Sequence, residues 1–229
     1  MSIEILYEDN HLIAVNKKAG DLVQGDKTED EPLVELVKAY IKKKYNKPGE
    51  VYLGIIHRLD RPVGGVIVFA KTSKALVRMN KQFADREIQK TYWAVLEKLP
   101  PNDEEVLVHY MKKNQEKNRS RAYDNEVKGS KRCELEYKLE GRSKNYYYVE
   151  VKPKTGRHHQ IRVQMSHIGS VIKGDVKYGG KRTNRDGSIH LLARSLKFMH
   201  PVKKTPLFIR ANPPKKDPLW AEFLELKRK

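Results

Sequence analysis

The chain has 229 residues, of which 38% are hydrophobic and 33% charged, and its 47 lysines and arginines against 29 acids leave a net charge of +18. That length can bury a real core, the charge points to a polyanion partner such as nucleic acid, and no apolar run approaches the ~20 residues a membrane-crossing helix needs. Cys133 is the only cysteine, which rules out an internal disulfide and a thiolate metal cage and predicts a reducing, cytoplasmic setting with Cys133 as a packing residue.

In chain order, "IEILYEDNHLIAVNKK" alternates apolar and polar residues and predicts two short strands around a turn at Glu8–Asn10. It lacks the basic start and long apolar stretch of a signal peptide. "DEPLVELVKAYIKKKY" predicts a helix with Pro32 near its first turn, where a missing N–H costs little. Its apolar stripe is Leu33, Leu36, Val37, Tyr40 and Ile41, and Lys42, Lys43 and Lys44 suit its negative end. "GGVIVFAK" is a buried strand by its β-branched content. "TSKALVRMNKQFADREIQK" is a helix capped by Thr72 or Ser73, with Leu76, Met79 and Phe83 facing inward. "TYWAVLEKLP" is a strand ended by Pro100 and Pro101.

Residues 112–132 turn polar and basic and predict a loop or an exposed hairpin. Lys112, Lys113, Arg119 and Arg121 in this stretch are either a solvated charge run or an RNA-contacting arm. "CELEYKLEG" and "KNYYYVEVKP" form a hairpin, "IHLLARSLKFMHPV" and "TPLFIRANPP" are closing strands, and "LWAEFLELKRK" is a terminal helix. Strands dominate and no linker forces a break, so the chain is expected to be one α+β domain, residues 1–229, around a mixed, largely antiparallel sheet.

Two stretches concentrate chemistry. "HRLDRPVGG" places Asp60 between Arg58 and Arg61 at the start of the buried strand, which ends at Lys71. A carboxylate there loses solvation unless cations compensate. It is either a structural ion pair or a reactive acid. "GRHHQIR" crowds Arg157, His159, Gln160 and Arg162 into a segment that then runs apolar. Such crowding needs a partner, and an anionic ligand or a buried carboxylate would serve. The adjacent His158 and His159 lack further ligands at a metal-binding spacing, so no metal is expected. Tyr92, on an alternating strand, reads as a half-buried packing residue by its pattern alone.

Together, "YEDNHLIAVNKKAG", "HRLD", "KTYWAVLEKLP", "TGRHHQIRVQM", "GDVKYGG" and "ARSLKFMHP" resemble, in order and spacing, the RluA-type pseudouridine synthases. The resemblance implies a largely antiparallel sheet with a central cleft and isomerisation of uridine to pseudouridine in rRNA or tRNA, with no cofactor. It implies that Asp60 is the catalytic carboxylate, as covalent nucleophile or as base, that Tyr92 lies against the uracil, and that Arg162 pairs with Asp60. Arg58 matches the side chain that enters the RNA stack where the uridine leaves. Arg61, Lys71, Arg157, His159 and Gln160 join the RNA-contacting set. Two positions depart from the pattern: Val63-Gly64-Gly65 stands where many relatives carry a serine after the aspartate, and Leu192-Ala193 where many have His-Ala. The first strand lies so near Met1 that no N-terminal S4-type RNA-binding domain is expected. A monomer is expected, with RNA as partner and no membrane. The competing reading is a non-catalytic RNA-binding or ribosome-assembly protein on the same fold.

Overall fold

The computed structural model describes residues 3–25 and 30–228. The architecture is α+β, and the chain divides into two compact units, Met1–Gln89 with Ala193–Asn212 and Lys90–Leu192 with Pro213–Lys229. Each unit is therefore assembled from two separate stretches of chain.

In the first unit, β1 (Ile5–Glu8) and β2 (Leu12–Lys17) form an antiparallel hairpin. Its turn is fixed by Asp9, whose carboxylate accepts the backbone N–H groups of His11 at 2.8 Å and Leu12 at 2.9 Å, as an Asx turn does. β2 pairs antiparallel with β4 (Gly64–Ala70) along its length. The two-residue β3 (Gly54–Ile55), unforeseen in the sequence, pairs with the end of β4.

Side chains of β2 and β4 alternate between two helices, because strand neighbours point to opposite faces. Ile13, Val15, Ile67 and Phe69 pack with Leu33, Val34, Val37 and Ile41 of α1 (Leu33–Lys44). Leu12, Ala14, Val66 and Val68 pack with Ala75 and Met79 of α2 (Ser73–Ala84). Burial on both faces is why β4 reads as a continuous apolar run. Thr72 caps α2, its Oγ1 accepting the Ala75 N–H at 3.2 Å. Pro32 sits one residue before α1, at its N-cap. β10 (Leu191–Met199), next to β4 in strand order, pairs antiparallel with β11 (Pro206–Arg210). Gly65 makes this close: it has φ +118°, and a Cβ there would lie 2.2 Å from the Ala193 carbonyl oxygen. Only glycine meets both demands.

In the second unit the strands run β5 (Gln89–Leu96), β9 (Tyr147–Pro153), β8 (Lys131–Arg142), β6 (Glu104–Asn114) and β7 (Arg119–Tyr123), each antiparallel to the next. The basic stretch is thus the β6–β7 hairpin, and β6 begins at Glu104, earlier than the sequence suggested. β5 ends at Leu96, before the two prolines. Trp93 and Val95 pack with Tyr148, Trp220 and Phe223, so one face of β5 is covered by α4 (Pro218–Leu226). Asp217 caps α4 with Oδ1 and accepts from His190 with Oδ2 at 3.0 Å. Behind β9 come α3 (Gln160–His167) and a single 3-10 turn, Val176–Tyr178. Among the described residues no helix is long and apolar enough to cross a membrane.

Candidate active site

Asp60 lies in the irregular segment between β3 and β4, half-buried, one residue before the turn at Arg61–Pro62. Its carbonyl accepts the Val63 N–H at 3.0 Å, closing that turn. The segment is held by a residue that the sequence places only at the end of a strand. Lys17 is 1% exposed, and its Nζ donates to the carbonyls of Lys18, Arg61 and Val63 at 3.0, 3.1 and 2.8 Å. Three acceptors match the three protons of an ammonium. Burial pulls the Lys17 amine down to about 8, while Asp21 and Asp60 support its charge and Arg61 opposes it. A buried lysine therefore fixes the backbone on both sides of the Arg61–Pro62 turn. Arg58 and Arg61 are exposed. Arg61 Nη2 reaches Asp30 at 2.6 Å, with both side chains open to solvent. Such surface pairs hold weakly. His57 accepts the Val68 N–H with Nε2 at 3.1 Å and stacks on Phe83, tying the start of the motif to β4.

Arg162 is on α3 and 5% exposed. Its guanidinium makes a two-point bond to Asp175, Nε to Oδ2 at 2.7 Å and Nη2 to Oδ1 at 2.8 Å. Asp175 is itself 1% exposed. The Tyr178 ring lies 5.1 Å from the Arg162 guanidinium carbon and 5.3 Å from that of Arg119. Tyr178 accepts the Ser120 N–H at 3.0 Å and lies 2.7 Å from His159 Nδ1. "GDVKYGG", a weak turn signal on its own, thus supplies both groups that set Arg162. The signal that could have found them is Asp175, an acid buried beside a stretch already rich in arginine.

The rest of "GRHHQIR" divides by role. His159 takes the left-handed backbone, φ 56°, at the start of α3, and burial with the charge of Arg162 pushes it down to about 2, so it is neutral. His158 stacks on it and meets Ser120 Oγ at 2.9 Å. Arg157 is exposed. Gln160 is buried: its Oε1 accepts from Thr155 and the Arg157 N–H, and its Nε2 donates to the Glu134 carbonyl. These bonds tie the loop before α3 to β8. Lys71 is mostly buried as well. Its side chain is 10% exposed and its Nζ is 2.9 Å from Glu8. Glu8 also accepts from Tyr40, Lys44 and Tyr45, and these donors outweigh its burial and hold it down near 2.

Tyr92 sits on β5 opposite Val151, half-buried, on the face away from Trp93 and α4. Lys112, Lys113, Arg119 and Arg121 are all exposed on the β6–β7 hairpin, with Lys112 directly opposite Arg121. Like charges so placed repel each other, and a phosphate would relieve them. The Arg121 guanidinium lies 5.2 Å from the Tyr123 ring. Cys133 is buried, and burial pushes its thiol up to about 11, which makes it inert.

A family model described as RNA pseudouridylate synthase matches residues 11–167, and the chain belongs to that family. Among curated relatives it is 33% identical to the tRNA pseudouridine synthase C of Vibrio cholerae, over 97% of this chain and 94% of that protein. It is 30% identical to the ribosomal large subunit pseudouridine synthase C of Buchnera aphidicola, over 90% of this chain and 66% of that protein, and 32% identical to the tRNA pseudouridine synthase C of Pectobacterium carotovorum, over 91% of this chain and 58% of that protein. The chain therefore spans less than two thirds of the length of the last two. Among solved structures, human RNA pseudouridylate synthase domain containing 4 shares the fold with a TM-score of 0.78 at 21% identity, covering 98% of this chain and 93% of that one.

Proposed function

We propose that this chain isomerises uridine to pseudouridine within a structured RNA, with Asp60 as the reacting carboxylate. The observation that carries the reading is the preset Arg162, a buried guanidinium already oriented by Asp175 and Tyr178, in a family whose motif pairs that arginine with the aspartate of "HRLD". An arginine held in a dry site keeps its N–H groups in a fixed fork suited to a carboxylate.

The reaction breaks the N-glycosidic bond, turns the uracil while it is held, and joins a ring carbon to the same sugar carbon. Nothing is oxidised or added, so no cofactor takes part. Asp60 acts on the sugar, either at the anomeric carbon or by removing a sugar proton. Tyr92 lies against the uracil. Arg58 fills the stack that the uridine leaves, which offsets part of the few kcal/mol that extrusion costs. Arg61, Arg157, His159 and the hairpin residues Lys112, Lys113, Arg119 and Arg121 contact the RNA, mostly through phosphates, which give affinity without reading sequence. The chain works as a cytoplasmic monomer. The named relatives divide between ribosomal large-subunit RNA and tRNA, and both are candidate substrates here.

The test maps pseudouridine across cellular rRNA and tRNA in cells with the wild-type chain, with none, and with Asp60→Ala. One or a few sites should vanish without the chain and stay absent with Asp60→Ala, while the purified variant keeps its fold and most of its RNA affinity. Undiminished modification by Asp60→Ala would leave only the RNA-binding reading.

A further inference from the structure

We propose that His109, Asp124 and His167 form a binding site for a divalent transition ion, with zinc the best match. The three residues come from β6, from the position just after β7, and from the last position of α3. One ligand atom from each lies within 4.8 Å of the others. His167 Nε2 is 2.7 Å from Asp124 Oδ1, and His109 Nε2 is 3.8 Å from the same oxygen.

The donor set decides the kind of ion. Two imidazoles and one carboxylate suit zinc, cobalt, nickel or copper, whereas magnesium and calcium prefer oxygen throughout. Zinc bonds of about 2.0–2.2 Å put neighbouring ligand atoms about 3.3 Å apart in a tetrahedron. Asp124 and His167 have to open by about half an ångström and His109 and Asp124 to close by as much, small adjustments for a zinc ion to make. The Asp124 side chain, 77% exposed, and that of His167, 29% exposed, are able to move, while His109 at 9% is the fixed post. The fourth position faces solvent and would take water.

The surroundings of His109 add a second observation. Its Nδ1 lies 3.0 Å from the carboxamide nitrogen of Gln164, a fully buried residue whose Oε1 has no hydrogen-bond partner. In the ion-free protein Gln164 donates to Nδ1, so the imidazole proton sits on Nε2. An ion on Nε2 moves that proton to Nδ1. A half-turn of the Gln164 carboxamide then brings the unpartnered oxygen to accept it, in exchange for the present bond to the Leu107 carbonyl. Metal-bound histidines are usually oriented by such an acceptor on the other ring nitrogen. The ion would join α3, which carries Arg162, to the base of the basic hairpin, and it takes no part in the reaction at Asp60.

The test is calorimetric titration of the metal-free full chain with zinc alone, with cobalt absorption in the visible as the report on geometry. The expected result is one zinc per chain, a melting temperature that rises with zinc, and at least tenfold weaker binding in Asp124→Ala and in His167→Ala. His158→Ala, which alters the other adjacent histidine pair, should bind as the wild type does. Both ligand positions are accessible enough for the variants to fold, so His109 need not be touched. No saturable zinc binding, or equal binding by the Asp124→Ala/His167→Ala double variant, would overturn the site.

Discussion

The Asp60 segment is held through its main chain, whereas Arg162 is held through its side chain. Lys17 grips the carbonyls of Arg61 and Val63, which every residue type offers. Asp175 and Tyr178 grip the guanidinium itself, which only arginine offers. The two regions should therefore tolerate change differently. The clamp touches no side chain at Gly64, the position where many relatives carry serine, so that side chain is free to vary, whereas Gly65 is held to glycine by its backbone and by Ala193. Identity at 162 is not free.

The largest effect is expected at Arg162. Arg162→Ala leaves Asp175 buried and uncompensated, and breaking a buried pair costs about 3–5 kcal/mol. Thermal unfolding should show that loss, and turnover should collapse with it. Arg162→Lys restores the charge without the fork and should recover stability in part but little activity. Equal melting temperatures for Arg162→Ala and the wild type would erase the contrast between the two regions.

Lys17→Met comes next. It removes the donor from the carbonyls of Lys18, Arg61 and Val63, and an unsatisfied buried acceptor costs about 1–3 kcal/mol. Both stability and kcat should fall, the latter because the Asp60 loop shifts. The pH dependence sharpens this. Folding lowers the Lys17 amine from 10.5 to about 8, so below pH 8 it is charged in both folded and unfolded chains. Between about 8 and 10.5 the unfolded chain holds the extra proton, and stability from this group rises with pH. Denaturant titrations should show the wild type gaining on Lys17→Met across that window, and a constant difference would mean the amine is not desolvated.

The smallest effect on chemistry belongs to the hairpin. Neutralising Lys112, Lys113, Arg119 and Arg121 should raise KM and flatten the plot of log affinity against log salt, by roughly 0.7 to 0.9 for each phosphate no longer held. Single-turnover rates at saturating RNA should hold. An unchanged slope would make the hairpin a solvated surface.

The elements legible in the sequence were those fixed by local pattern. α1 and α2 followed from helical spacing, β4 from its β-branched run, and the β8–β9 hairpin from alternation. Side-chain roles that depend on distant partners were not. Lys17 looks like a solvated strand end until Arg61 and Val63, 44 and 46 positions away, are beside it. Lys71 looks free until Glu8, 63 positions away, takes it. Asp175 lies only 13 positions from Arg162, yet the turn between them hides the pairing. Local pattern singled out Asp60 as either an ion-pair member or a reactive acid and Arg162 as needing an anionic partner, but gave Tyr92 no role; the specific roles of all three came from the resemblance.

The divided layout of the first unit bears on how the chain is made. β4 leaves the ribosome with Gly65 exposed, and the Ala193 backbone that packs against it follows only after residues 90–192. At about 5–20 residues per second, the interval from Ala70 to Ala193 is a wait of roughly 6–25 s for a strand that is apolar on both faces. An unpaired edge of that kind invites other chains. The nascent protein should therefore depend on chaperones that shield it until β10 arrives, and a ribosome stalled anywhere in 90–192 should leave an aggregation-prone stub.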